Sequence, residues 1–310
     1  MNHADYRATR VFTSLNGLRC LSILAVIWHH AAGGAFDLPL AGRGYFGVTL
    51  FFVISGFLIT TLLLREREAY GDISLSGFYA RRTLRIFPLY YTVILLYLAL
   101  VLVVERESAA GHAFLHHNVA HYATYTANWF VPLHDDRVIF YFAWSLAAEE
   151  QFYLVWPSVE RYVRGHWPVA VAGALIAVPL LAVTPPGRAL LGEHGGAQTV
   201  LANIPAGICL GVLLAHLLHG GRGYRIAAAV LGRRAASPVL LVALAAALAF
   251  VPVSGPLGVL AITAVMALLV GACVIREDHG LRALLTWRPI AWLGVVSYGM
   301  YLLHMLAMNA

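Results

Sequence analysis

GYFGVTLFFVISGFLITTLLL, residues 44–64, holds no charged side chain in twenty-one positions and runs straight into REREAYGD at 65–72. An α-helix needs about 20 mostly apolar residues to cross the hydrocarbon of a bilayer, and a stretch of this length without a charge is a spanning candidate. The pattern recurs along the chain. Stretches 15–33, 86–104, 141–159, 168–184, 198–218, 236–252, 256–275 and 289–309 are of span length and mostly apolar. With 44–64 they predict nine transmembrane helices, an all-α polytopic bundle. Composition agrees: 60% of the 310 residues are hydrophobic and 12% charged, against roughly 25% charged in soluble domains. All 21 basic residues are arginine and the net charge is +6. A basic balance can indicate nucleic acid, but these arginines sit in short loops between apolar runs, so the partner they suggest is the lipid bilayer and not nucleic acid. Cys20, Cys209 and Cys273 lie in apolar stretches without CxxC spacing and read as small core residues.

Stretch 112–131 is the ambiguous one, because His112, His116, His117, His121 and Asn118 make it too polar for an easy span. The arginines decide. If 112–131 does not cross and the N-terminus is cytoplasmic, seventeen of the twenty-one arginines fall inside and only Arg43, Arg106, Arg137 and Arg188 outside. If it crosses, every later loop flips and the bias largely vanishes. The positive-inside rule therefore predicts nine spans in a cytoplasmic (inner) membrane, with 105–140 an external or re-entrant element.

Ionisable groups inside hydrocarbon are costly and mark either structural pairs or function. On these boundaries Glu149 and Glu150 are the only carboxylates deep in a span, and His29, His30, His216 and His304 are the histidines within spans. Arg19 and His30 are eleven residues apart, so at 100° per residue they share a helical face roughly 16 Å apart. His29 falls about 80° away. In FYARRTLRIFP, which ends the inner loop 65–88, Arg82 and Arg85 stand at i, i+3 and suit a phosphate. The bland alternative is an anchor against anionic lipid. Ser145, Glu149 and Tyr153 share a face at i, i+4, i+8, and Gly294, Ser297, Tyr301 and His304 form a polar stripe on the last span. Two histidines, a carboxylate and several hydroxyls on different helices are the inventory of a general-base site. A structural Glu–Arg or Glu–His pair is the alternative for Glu149. His116, His117 and His121 lack metal-ligand spacing and no metal is expected.

These pieces together resemble the membrane-bound acyltransferase type 3 family, bacterial O-acyltransferases. The resemblance rests on five segments in order: LNGLR at 15–19 with His30, YFGVTLFFVISGFLI at 45–59, FYARRTLRIFPLYY at 78–91, WSLAAEEQFYLVWP at 144–157 and LGVVSYGMYLLH at 293–304. It implies ten core helices, so that residues 1–310 would be one integral-membrane acyltransferase domain short of a final helix. It implies acyl coenzyme A, acetyl coenzyme A foremost, as cytoplasmic donor. The implied acceptor is a hydroxyl of an envelope glycan, a lipid or an exported secondary metabolite. At matching positions it implicates His30 and Glu149 in catalysis, with Arg19, Arg82 and Arg85 at the donor. Ser145, Tyr153, Ser297, Tyr301 and His304 are expected to support the substrate. The mechanism expected is His30 as general base with Glu149 orienting it, an acyl-histidine intermediate being the variant. The chain departs from the family pattern at Asn16 and Thr49, where Asp is usual, and at Gln198 and Asn203, where a basic residue is expected; these bear on substrate recognition. The rival reading is a proton-coupled transporter using Glu149 and His30 as a relay, which requires inverted repeats and broken helices in both halves. It leaves Arg82 and Arg85 without a role.

Overall fold

The computed structural model describes residues 2–31, 40–132, 137–192 and 196–309, and among these every regular element is helical. In chain order the helices are α1 His3–Ala8, α2 Thr13–Ala31, α3 Phe46–Tyr70, α4 Leu75–Leu100, α5 Ala109–Ala113, α6 Val119–Ala123, α7 Ala127–Phe130, α8 Ala143–Tyr162 and α9 Trp167–Ala182. There follow α10 Pro185–Leu191, α11 Gly196–Ala202, α12 Ala206–His219, α13 Gly221–Leu231, α14 Ala236–Phe250, α15 Pro256–Ile275, α16 Arg282–Leu285 and α17 Arg288–Asn309. Residues 32 and 33, the expected end of the first span, lie outside the described residues.

The chain is a multi-pass membrane protein, but the nine expected spans are not nine uninterrupted helices. Four are long and apolar enough to cross: α3, α4 with its π-helical continuation to Glu105, α15 and α17. The number reaches seven if α9–α10, α11–α12 and α13–α14, bent by 91°, 51° and 75°, each count as one span. Stretches 168–184, 198–218 and 236–252 are thus broken or shortened. Proline accounts for the first two breaks, since Pro185 opens α10 and Pro205 precedes α12, and neither can donate to a continuing helix. Helices α2 and α8 lie where spans were expected, yet are too polar to qualify on composition; they carry most of the candidate site.

Segment 65–88, expected to be an inner loop, is almost entirely helical. Helix α3 runs to Tyr70, and α4 already starts at Leu75. Gly71, in the left-handed region at φ 79°, closes α3, and the Ser74 side chain caps α4 by accepting from the Gly77 N–H. Only 71–74 turn, so Arg82 and Arg85 project from a rigid helix. The doubtful stretch 112–131 breaks into short helices, none of spanning length. They fold back on the bundle: Tyr90 and Tyr91 of α4 donate to the Tyr122 and Ala123 carbonyls, and Gln151 of α8 binds the Tyr125 carbonyl and Asn128.

Two helix pairs make the central packing. Gly207 and Gly211 of α12 lie against α3, and Gly56 of α3 lies against the Ile208 backbone, so a methyl at Gly56 or Gly211 would strike main chain. Gly294 of α17 similarly meets the Asn16 backbone of α2. Small residues permit such close approach between membrane helices.

The arginine-rich ends meet at one end of the bundle. Arg65 donates to the Tyr6 and Thr9 carbonyls, Arg7 pairs with Glu68, and Arg161 pairs with Asp72. Arg67 and His216 both bind Glu160, and Arg234 and Arg276 bind Asp278. Glu160, one residue past the expected end of its span, is fully buried within this end cluster.

Candidate active site

A cavity of about 320 Å³ opens among α2, α3, α4, α8 and α17. Eight of the ten candidate residues line it: Arg19, Arg82, Arg85, Ser145, Glu149, Tyr153, Ser297 and Tyr301. Arg81, Glu66 and Glu150 line it as well. His30 and His304 are not among the lining residues; they form a separate pair.

The helices explain the gathering. On α8, Ser145, Glu149 and Tyr153 stand one turn apart and all face the cavity. Pro157, within the same helix, cannot donate a backbone hydrogen bond. One turn away the Leu154 carbonyl accepts from the Tyr79 hydroxyl of α4 at 2.7 Å. On α17 the Tyr298 hydroxyl donates to the Ile86 carbonyl at 3.1 Å, two residues before Pro88 of α4. These ties hold α4 against α8 and α17, with Arg82, partly buried, and Arg85, exposed, both lining the cavity.

The charged end of the cavity is a stack. The Arg82 guanidinium lies over the Tyr153 ring at 4.1 Å, and the Tyr153 hydroxyl donates to the Glu149 carboxylate. Such a cation over an aromatic face is attractive by roughly 0.5–2 kcal/mol, more when water is excluded. Arg19 lies within electrostatic reach of Arg85, Tyr153, Glu149 and Arg82. Arg81 pairs with Glu66 at 3.5 Å at the mouth. Four arginines, Arg19, Arg81, Arg82 and Arg85, thus line the cavity against three carboxylates, Glu66, Glu149 and Glu150, so that arginines outnumber carboxylates in a partly enclosed space. That is an environment for an anion with several oxygens.

Ser145 and Tyr301 share a 2.7 Å hydrogen bond, and each lies within hydrogen-bond distance of the Phe142 carbonyl. Ser297 donates to the Gly294 carbonyl of its own helix at 2.9 Å. Beyond Tyr301 comes the histidine pair. His304 is buried on α17, with Nδ1 2.6 Å from the Tyr301 carbonyl and Nε2 2.9 Å from His30 Nδ1. His30, partly buried, also packs edge-on to Tyr141, with His29 beside it. The expected contact of Glu149 with His30 is replaced by two others: Glu149 with Tyr153, and His30 with His304. The first joins i, i+4 neighbours that the shared face of α8 already aligned; the second could not be read from sequence, because a helical face does not name its partner on another helix.

Glu150, the neighbour of the glutamate that the resemblance implicates, lines the cavity within electrostatic reach of Tyr90, Tyr91, Tyr125 and Tyr298. Tyr125 is one of two non-glycine residues with positive φ among the described residues, at 54°. No cluster of three or more histidine, cysteine, aspartate or glutamate side chains with metal-binding geometry occurs among the described residues. His121 is instead 3.1 Å from the Thr126 hydroxyl.

Residues 12–310 match the family model described as an acyltransferase domain, that of the acyltransferase 3 family. The chain is 31% identical to the "Putative peptidoglycan O-acetyltransferase YrhL" of Bacillus subtilis, over 95% of this chain and 48% of that protein. It is 29% identical to the "Peptidoglycan O-acetyltransferase OatA" of Listeria monocytogenes, over 94% of this chain and 48% of that protein. The chain thus spans about half the length of these curated relatives. No solved structure matches it.

Proposed function

We propose, from the premise that this chain belongs to the acyltransferase 3 family, that it moves an acetyl group from coenzyme A to a hydroxyl of a cell-envelope glycan. Acetyl transfer and a glycan acceptor are supported by the names of the relatives; lipids and exported metabolites are the other acceptor classes. The observation that carries the reading is the arginine-lined cavity. At about 320 Å³ it is at the low end of the ~300–1,000 Å³ typical of ligand sites. That suits the acyl-pantetheine arm, with the nucleotide phosphates held at the mouth by Arg82 and Arg85 and by Arg19 deeper in. The arginine-rich end is cytoplasmic, as is the N-terminus, and residues 1–310 act as one membrane domain.

In this reading His30 is the general base. Its Nε2 takes the proton of the acceptor hydroxyl, whose oxygen attacks the thioester carbonyl. The C–S bond breaks, and the departing thiolate takes the proton back from His30, giving an ester and free thiol. Proton transfer of this kind contributes about 10²–10⁴-fold. The thioester meets His30 by passing the Ser145–Tyr301 pair. Glu149, bonded to Tyr153 beneath Arg82, belongs to the donor side and keeps the cavity's charge in balance. The transport reading gains nothing: the bent helices all fall between Trp167 and Phe250, in one part of the chain, and none of them lines the cavity.

The test is acetyl coenzyme A binding to the purified chain in lipid nanodiscs. Arg85→Ala and Arg82→Ala should each weaken binding about tenfold or more, since a charge-assisted hydrogen bond contributes roughly 1.5–3 kcal/mol. Lysine should rescue only in part, lacking the planar fork. Wild-type affinity in both alanine variants would reduce these arginines to an orientation signal and remove the support for the reading.

A further inference from the structure

We infer that His304 is a positioning residue for His30: it fixes His30 as the Nδ1–H tautomer and leaves Nε2 as its free base. This rests on the reading of His30 as general base and supplies what that reading lacks, an orienting partner.

One atom in the chain of contacts has a fixed role. A backbone carbonyl only accepts hydrogen bonds. The Tyr301 carbonyl is 2.6 Å from His304 Nδ1, so that nitrogen carries a proton. In neutral His304 the other nitrogen, Nε2, is then an unprotonated acceptor. It stands 2.9 Å from His30 Nδ1. Two nitrogens at that distance hold one proton between them; it belongs to His30, because His304 has already placed its own. His30 Nε2, on the far side of the ring, is left with its lone pair. The sequence is carbonyl, His304, His30, base, with each link set by the one before it.

The placement is built in. The first link spans three residues of a single helix turn, so it persists wherever α17 goes. The second depends on the spacing of α2 and α17, which Gly294 sets by allowing contact with the Asn16 backbone. His304 is buried and packs against the Phe142 and Tyr301 rings, at 5.1 and 5.6 Å. A carboxylate does this orienting work in the serine-protease triad. Here a neutral imidazole anchored on a main-chain carbonyl does it, so Glu149 is not needed beside His30. When Nε2 of His30 takes the hydroxyl proton, the Nδ1–H bond to His304 becomes charge-assisted and shortens. On loss of that proton to the thiolate it relaxes.

The experiment uses the full chain in nanodiscs, ring-¹⁵N histidine labelling and thiol release from acetyl coenzyme A with soluble peptidoglycan fragments as acceptor. His304→Phe keeps the ring packing and accepts no hydrogen bond. It should lower kcat about 10²-fold or more, in keeping with a misplaced base, with KM for acetyl coenzyme A unchanged. His304→Gln offers an amide oxygen near the place of Nε2 and should recover most of that loss. The His30 ring, assigned by comparison with His30→Gln, should show protonated Nδ1 in the wild type and in His304→Gln, and a mixture in His304→Phe. Wild-type kcat in His304→Phe, or protonated Nε2 on His30 in the wild type, would overturn the inference. The two readings separate through His30→Ala. If it abolishes thiol release while His304→Phe does not, only the positioning role fails; if it leaves thiol release intact, the base itself is wrong and the positioning role falls with it.

Discussion

His279 shows how tightly a single polar residue can be committed outside the membrane. It is buried in the turn between α15 and α16, with Nε2 2.8 Å from the Ser14 hydroxyl and Nδ1 3.1 Å from that of Ser237. The Leu281 N–H donates to Nδ1 at 3.2 Å, so Nδ1 is an acceptor and the ring's proton sits on Nε2. A second proton would set donor against donor. Burial, and next the charge of Arg282, hold this imidazole below its usual range, with Asp278 opposing. The sign follows. Below about pH 6.5 the unfolded chain protonates at this position while the folded one does not, so the unfolded state binds more protons and stability rises with pH. The contribution is complete above that value and is lost on acidification toward the folded pKa. We expect the melting temperature of the wild type to fall between pH 7.5 and pH 5. The His279→Gln variant should melt lower at pH 7.5 but lose less on acidification. Parallel pH slopes in the two would show that the turn does not titrate.

At the scale of elements, the contact of α3 with α12 is the place to probe packing. Gly56→Val would drive side-chain atoms into the Ile208 backbone, and overpacking of this kind costs about 1–3 kcal/mol. Gly173→Ala is the matched control: nothing lies within contact range of a Cβ there, and α9 should gain up to about 1 kcal/mol from the better helix former. The comparison is thermal stability in detergent, and equal losses in the two would mean that the close approach is not tight. The helices were legible because their signal is long and repetitive: among the described residues eight of the nine apolar stretches fall mainly on one helix, and 198–218 on two. Their ends were less so, since a single capping residue such as Ser74 decides whether Arg82 sits in a loop or on a helix. The breaks near Pro185 and Pro205 were readable in principle, but an apolar count passes over them. For the cavity, periodicity on α8 aligned Ser145, Glu149 and Tyr153. It could not reveal that His30 would find His304, because that pairing depends on how two helices separated by more than 250 residues are set against each other.

For the whole molecule the question is which end faces the cytoplasm. Arg65 with the N-terminal carbonyls, Arg161 with Asp72, Glu160 with Arg67 and His216, and Asp278 with Arg234 and Arg276 all lie at one end. Arg137 pairs with Glu105, at the far end of α4 from Arg82, and Arg43 binds the Val251 carbonyl at the end of α14. Several of the arginines expected inside are thus in contact at one end, whereas Arg43 and Arg137, two of the four expected outside, bind elsewhere. The orientation proposed above puts the crowded end in the cytoplasm, as the positive-inside rule expects, and labelling tests it. With Cys20, Cys209 and Cys273 replaced, single cysteines from Ser76→Cys, His117→Cys and Arg222→Cys report each surface, all three sites being exposed. A membrane-impermeant maleimide added to intact cells should label position 117 alone, and 76 and 222 only after the membrane is opened. Labelling of 222 together with 117 would mean that segment 112–131 crosses after all. Labelling of 76 and 222 from outside, with 117 protected, would invert the protein and place the arginine-lined cavity on the side where coenzyme A is absent.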